Sequence, residues 1–152
     1  MVEEPLDPIL IQVTVPLPIP MIFRAFTDAE PLQGWLATRA RVEPRLGGTY
    51  DLAFDGEHPF ESHGRVTTLT PDVDVGFSWT GPPEFAALMN EPEPKTHVYV
   101  RLQESPEGID VTLEHAGWGS GPAWEEARSW HFHLWDDKLH GLKDYLIRQA
   151  YG

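Results

Sequence analysis

The 152-residue chain is predicted to be an α+β protein in which a curved antiparallel sheet of about six to seven strands wraps around one long C-terminal helix. Three observations predict this fold class. Between residues 38 and 115 most segments alternate apolar and polar side chains, which is the period of half-buried strands. Short turn sequences such as Asp55-Gly56 and Pro71-Asp72 separate these segments. From Pro122 to Ala150 the apolar residues recur with the period of a helix.

Local signals place each element in order. The β-branched segment Ile9–Val15 (ILIQVTV) predicts a first strand. Two short helices follow: proline suits the first turn of one, which begins at Pro20, and Asp28 is the N-cap of the other, Ala29–Leu36. Short turns then join six strands into an antiparallel meander with one buried face. These strands are expected near residues 39–43, 50–54, 60–70, 75–79, 96–103 and 109–115.

The segment Gly81–Pro94 (GPPEFAALMNEPEP) interrupts the meander and is too long for a hairpin turn. Its apolar residues fit one helical turn. Long connections inside a compact domain often serve as lids or binding loops. Phe85, Leu88 and Met89 therefore form a candidate lid, and a solvated insertion is the alternative.

Composition excludes several classes of function. The chain has no cysteine, so disulfides, thiolate catalysis and cysteine–metal sites are absent, which fits a cytoplasmic protein. A formal net charge of −13 disfavours binding to nucleic acid or anionic lipid. Apolar runs are too short for a membrane helix, and the acidic start MVEEPLDP does not resemble a secretory signal. We expect a single domain over residues 1–152.

The C-terminal helix carries two different faces. His133 and His140 lie on the polar face, each four residues from an aspartate; such pairs can hold a metal, but a solvated ion-paired face explains them more simply, and no metal site is predicted. The other face is predicted to meet the sheet through Trp124, Ala127, His131, Leu134, Trp135, Lys138, Leu142, Tyr145 and Leu146.

Two histidines are expected inside the protein. His131 lies in the middle of the apolar stripe of the helix, and His115 lies on the buried face of the last strand. A buried imidazole either has hydrogen-bond partners in the core or borders a cavity, where it orients a ligand. The large aromatic residues near them either fill the core or line a cleft. The predicted pocket residues are Trp35, Tyr50, Phe54, Phe77, Trp79, His115, Trp124, Ala127, His131 and Trp135.

Five segments in this order resemble the START-like (SRPBCC) superfamily, and within it the branch named for the activator of the heat-shock-protein ATPase. They are VPLPIPMIFRAFTDAEPLQGWL (16–36), VEPRLGGTYDL (42–52), HGRVTTLTPDVDVGFSW (63–79), VTLEHAGW (111–118) and WDDKLHGLKDYL (135–146). The resemblance implies the helix-grip (Bet v-like) fold, with a cavity between the sheet and the last helix. Members commonly bind apolar or amphipathic molecules there; some are cyclases or lyases, and a eukaryotic relative is a co-chaperone.

These observations lead to one principal hypothesis, that the protein binds a small apolar or amphipathic molecule without a cofactor. One alternative is a co-chaperone-like interaction module whose acidic surface meets a basic protein. Another is an enzyme in which His115 or His131 acts as general acid or base, since imidazole titrates near neutral pH. The family shares no catalytic set, and the sequence has no recognisable nucleophile or metal triad, so no catalytic residue is assigned.

Overall fold

A computed structural model describes residues 4–152. A 3-10 turn, Pro83–Phe85, directly precedes the third helix. The helices are α1 (Ile19–Thr27), α2 (Ala29–Trp35), α3 (Ala86–Met89) and α4 (Pro122–Tyr151). The strands are β1 (Ile9–Val15), β2 (Arg39–Val42), β3 (Thr49–Phe54), β4 (Phe60–Thr70), β5 (Asp74–Trp79), β6 (Thr96–Ser105) and β7 (Gly108–Ala116).

The seven strands form one antiparallel sheet in the order β1-β7-β6-β5-β4-β3-β2. All pairs except β1–β7 join strands that are consecutive in the chain, as the short turns predict. The register between β4 and β5 shifts between Val66 and Thr68. Such a bulge increases the local twist and helps a sheet to curve. The predicted fold class is confirmed: a curved antiparallel sheet packs around a long C-terminal helix in the helix-grip arrangement.

Side chains alternate across the sheet as the sequence predicts. In β4, residues 60 to 66 alternate strictly between buried and exposed, and β7 buries every second residue from Ile109 to His115. Asp28 caps α2 by accepting a hydrogen bond from the backbone N–H of Glu30, as expected. Because one face of each strand is dry, the inner face of the sheet and one side of α4 form a continuous core.

The buried row of α4 is narrower than the predicted stripe. Its members are spaced three or four residues apart: Ala127, His131, Trp135, Leu139, Leu142 and Leu146. The prediction was wrong to omit Leu139, which is fully buried, while Trp124, Leu134, Lys138 and Tyr145 are only half-buried. The curved sheet covers one ridge of the helix, so side chains one position away reach its rim. Among residues 4–152, no helix is both long enough and apolar enough to span a bilayer.

Candidate functional site

Two buried histidines meet at the end of the sheet where β5 and β7 stop and β6 begins. His115 projects from β7 and His131 from the first half of α4, and their ring centroids are 5.3 Å apart. Both side chains are fully buried. We call the residues that form this site the histidine cluster: Trp79, Thr96, His115, Trp118, His131 and Trp135.

Hydrogen bonds fix the tautomer of His131. The indole Nε1–H of Trp79 donates to His131 Nε2 over 2.9 Å. Because an indole nitrogen can only donate, His131 Nε2 carries no proton. Nδ1–H of His131 then donates to the carbonyl oxygen of Ala127, one turn earlier in α4, over 2.8 Å. His131 is therefore neutral, and both of its ring nitrogens are occupied.

His115 has the opposite tautomer for the same reason. Trp135 Nε1–H donates to His115 Nδ1 over 2.9 Å, so the proton of the ring lies on Nε2. Nε2–H donates to the hydroxyl oxygen of Thr96, 2.9 Å away. A third indole, that of Trp118, donates to the backbone carbonyl of His115 over 2.8 Å. Two tryptophan N–H groups thus hold the two neutral imidazoles in fixed orientations, and a third is bonded to the backbone of His115.

Burial keeps both imidazoles neutral over a wide pH range. Desolvation of the charged form lowers the pKa of His131 to about 4, although its hydrogen bond to the Ala127 carbonyl acts in the opposite direction. For His115, burial lowers the pKa well below its usual value, and repulsion from His131 and His97 lowers it further. Protonating either ring would also require one of the indole donors to turn away.

The segment that connects β5 to β6 covers the histidine cluster. Phe85 and Met89 are buried, and the Phe85 ring centroid lies 6.2 Å from that of His131. A Cβ atom placed on Gly81 would lie 2.6 Å from the sulfur of Met89 and 3.5 Å from His131 Cε1, so the three residues pack in one small space. A side chain at residue 81 would therefore have to displace the end of the methionine from the imidazole.

A second set of contacts holds this cover closed. The amide of Asn90 accepts a hydrogen bond from the N–H of Gly81 and donates one to the carbonyl of Gly81. The N–H of Lys95 donates to the carbonyl of Met89. We call residues 81–95 the cover segment. Of the three residues predicted to form a lid, Phe85 and Met89 point inward and Leu88 is half-buried.

The ten predicted pocket residues fall into two groups. Four of the ten, Trp79, His115, His131 and Trp135, belong to the histidine cluster itself. Phe54, Trp124 and Ala127 lie beside it. Around α1 and α2 lies a separate aromatic group. There the Tyr50 and Phe77 rings stack 3.8 Å apart, and Trp35 donates to the carbonyl of Ala25.

Side chains occupy the space between the sheet and α4 in this conformation. Nine of the ten predicted pocket residues are at least 92% buried, and Trp124 is half-buried. The surface concavities of 200 to 530 Å³ include neither histidine. Trp35 and Phe54 border one of them, of about 310 Å³, together with Lys138. The histidines are therefore closed off from solvent by the side chains that pack on them, among them Phe85 and Met89 of the cover segment.

Sequence reasoning missed two members of the histidine cluster. Thr96 has the same strand parity as Val98, which was predicted to be buried, so alternation alone could have placed its hydroxyl inside. Trp118 follows Gly117, whose φ of +104° lets the chain turn back over His115 after β7 ends. That turn has no periodicity, so the sequence gives only the glycine as a signal.

The polar face of α4 shows no metal site among the residues described. His140 Nδ1 lies 3.4 Å from a carboxylate oxygen of Asp136, an exposed ion pair one turn apart. No group of three or more histidine, aspartate or glutamate residues within 4–152 is arranged to bind a metal ion.

Solved structures of similar fold come from several bacteria. Protein MLL2253 from Mesorhizobium loti has a TM-score of 0.75 at 17% identity, over 93% of this chain and 97% of that one. The Aha1 dimer from Colwellia psychrerythraea has a TM-score of 0.75 at 20% identity, over 93% and 96%. DynU16, from the dynemicin biosynthetic locus, has a TM-score of 0.73 at 20% identity, over 94% of this chain and 48% of that one.

At these identities the structures establish the fold and not the activity. No functionally curated protein matches the sequence. A family profile does match, over residues 16–147, and it begins just after β1 and ends in the last turns of α4. It therefore spans both the histidine cluster and the aromatic group around α1 and α2. The chain belongs to the family of activator of Hsp90 ATPase homolog 1-like proteins.

Proposed function

We propose that the protein binds a small apolar or amphipathic molecule between the sheet and the first half of α4, behind the cover segment. The observation that carries the proposal is the pair of neutral imidazoles, buried among aromatic rings and covered by Phe85 and Met89. Binding sites for small molecules typically combine an apolar lining with a few fixed polar groups.

The need to fold does not by itself explain two histidines in this position. Replacing both partners of a buried hydrogen bond by apolar groups of the same shape is often nearly neutral for stability. A core of aliphatic side chains would thus serve equally well, as it does further along α4, where Leu139, Leu142 and Leu146 are buried. A ligand that contacts the imidazoles gives them a role that leucine cannot fill.

The cover segment supplies the route of entry. Its regular structure consists of one 3-10 turn and one helical turn, and its only buried residues are Gly81, Pro82, Phe85 and Met89. Segments with so few buried contacts open at a lower free energy than the whole domain. When it opens, the ligand takes the volume of Phe85 and Met89 and contacts Trp130 and His131, whose ring centroids are 4.8 Å apart.

Native mass spectrometry of the freshly purified protein is the first test. We expect a mass higher than that of the chain by one small molecule, which denaturation releases and identifies. The second test uses 1-anilinonaphthalene-8-sulfonate as a probe and measures its fluorescence with the variant Phe85→Ala/Met89→Ala. This variant should bind the dye more strongly than the unaltered chain, because the site beneath the cover segment is then open.

The control is Leu139→Ala, which creates a smaller apolar space where α4 is not covered by the cover segment. It should not increase dye binding. A protein that carries no small molecule, together with a cover variant that binds dye no better than this control, would rule the proposed site out. The NMR signals of the Trp79 and Trp135 indole N–H groups provide an independent readout of binding, since a ligand near the imidazoles shifts them.

A second function is co-chaperone-like binding to another protein, which the family's name and the net charge of −13 both favour. The test is whether the purified chain changes the rate of ATP turnover by a bacterial Hsp90. An unchanged rate at saturating concentrations would dismiss it. An acid–base role for His115 or His131 has less support, because every ring nitrogen already has a hydrogen-bond partner.

A further inference from the structure

The two edges of the sheet differ in how they are protected. Free edge strands tend to pair with other chains, and proteins usually prevent this with charges, proline, bulges or short length. β2 has only four residues and carries the exposed Arg39 and Arg41. β1 has seven residues, no charge and no proline, and its register with β7 is unbroken from Ile9 to Val15. β1 therefore lacks each of these protections.

The outer edge of β1 is free to form hydrogen bonds. Within residues 4–152, the backbone groups of 9–15 bond only to β7, and no side chain bonds to them. In an antiparallel pair, alternate residues direct N–H and C=O away from the neighbouring strand. Leu10 is 64% exposed and Gln12 is exposed. The edge thus combines unpaired backbone groups with uncharged side chains.

We infer that β1 pairs antiparallel with β1 of a second copy of the chain, about a two-fold axis at Gln12. In this register Leu10 lies opposite the partner's Thr14, and the two Gln12 side chains lie opposite each other. No charge faces a like charge. On a chain of net charge −13, an uncharged strand edge lets two copies approach without opposing carboxylates on the paired strands.

A groove continues the same interface beyond the strand. Counting outward from the axis places the partner's Pro16 opposite Pro8 and the partner's Pro18 opposite Leu6. Both prolines are exposed in the chain. At that point a groove of about 440 Å³ separates the N-terminal segment from α4, lined by Leu6, Asp7, Glu125, Arg128, Ser129 and Phe132.

The groove has a suitable lining for proline rings. Phe132 is 37% exposed and gives the groove an aromatic surface. The Arg128 side chain is held in place, because its guanidinium donates to the carbonyls of Asp7 and Pro8. The strand edge and the groove together give one continuous surface that fits a second copy of the chain.

The test is the molar mass in solution, measured by light scattering over a wide range of concentration. We expect twice the chain mass of 17.2 kDa. Gln12→Lys should halve this mass, because it sets two ammonium groups opposite each other at the axis. The matched control is Gln103→Lys, with the same charge change at an exposed position of β6, inside the sheet, and it should leave the dimer intact. Circular dichroism checks that both variants remain folded.

Cross-linking provides an independent readout, because the chain has no cysteine of its own. Gln12→Cys should form a covalent dimer under mild oxidation, since directly opposed residues of an antiparallel pair lie within reach of a disulfide. Gln103→Cys should not. A chain that is monomeric at every concentration, or a dimer that Gln12→Lys leaves unchanged, would overturn the inference.

Discussion

The two halves of α4 face the same sheet but build different cores. The first half, residues 122–135, meets the sheet with Trp130, His131 and Trp135, whose polar atoms are hydrogen bonded or lie near the rim. In the second half, residues 136–151, the buried side chains are Leu139, Leu142 and Leu146. One helix thus combines a polar aromatic core with an aliphatic one.

The covering of each half explains this difference. Over the first half lie irregular segments: the cover segment and the turn from Gly117 to Gly121, which packs on Trp124. Over the second half lie α1 and α2, with the ring of Tyr145 packed against Gly34. Under the proposed function, the half beneath the irregular segments carries the groups that contact the ligand, and the half beneath α1 and α2 contributes aliphatic packing. This division can be tested by perturbing each half separately.

Acid should produce the largest effect, and only through the first half. Burial lowers the pKa of both histidines in the folded state, so below pH 6.5 the unfolded chain binds protons that the folded chain does not. The free energy of unfolding is highest above that pH and falls by about 1.4 kcal/mol per pH unit for each histidine as the pH drops. The loss from His131 levels off below its folded pKa of about 4.

Urea denaturation at a series of pH values measures this loss, to which His131 alone should contribute about 2.5 kcal/mol near pH 4.5, with a further loss from His115. The double variant Trp79→Phe/His131→Leu serves as control. In this variant the part of the pH dependence of the free energy of unfolding that comes from the buried histidines should be about halved. Carboxylates titrate alike in both proteins, so the difference isolates His131. Identical slopes would mean that folding does not lower the pKa of His131.

Truncation in the aliphatic half should give the next largest effect. Leu139 is fully buried, and Leu139→Ala removes three methyl or methylene groups with little scope for repacking. We expect a loss of about 2–5 kcal/mol in the free energy of unfolding, measured by urea denaturation at neutral pH. The pH dependence and any ligand affinity should stay unchanged. A change in either would show that the two halves are coupled.

Much of this architecture could be predicted because its signals are local. Side chains of a strand alternate with a period of two, so β7 alone showed that His115 faces inward with Ile109, Val111 and Leu113. The period of the helix likewise placed His131 against the sheet. These predictions needed no knowledge of the neighbouring strands.

The chemistry of the site could not be predicted in the same way. Trp79 and His131 are 52 residues apart, and no local pattern shows that an indole N–H will meet that imidazole. The tautomers follow from such pairings, so they depend on the closed fold. The same is true of the cover segment. Its apolar residues are visible in the sequence, but their packing against His131 depends on the path that the chain takes through Gly81 after β5 ends.

His131→Leu should have an intermediate effect that separates hydrogen bonding from packing. The substitution leaves the Trp79 N–H buried without an acceptor, so we expect a loss of about 1–3 kcal/mol in the free energy of unfolding at pH 7. Adding Trp79→Phe removes that donor and should restore most of the loss. A double-mutant cycle from urea denaturation measures the coupling. If the two losses simply add, the hydrogen bond does not organise this half of the core.

The smallest expected effect lies in the second half, on its solvent face. Gly141 sits inside α4, and a Cβ atom there would meet nothing within 4 Å. Glycine loses more backbone entropy on folding than alanine, so Gly141→Ala should raise the free energy of unfolding by about 1 kcal/mol, seen as a higher melting temperature. Gly34→Ala should do the opposite, because its methyl group would overlap the ring of Tyr145. Because Gly141 faces away from the histidine cluster, its substitution should change neither dye binding nor the pH dependence of the free energy of unfolding. A change in either would mean that the second half of α4 also controls the covered site.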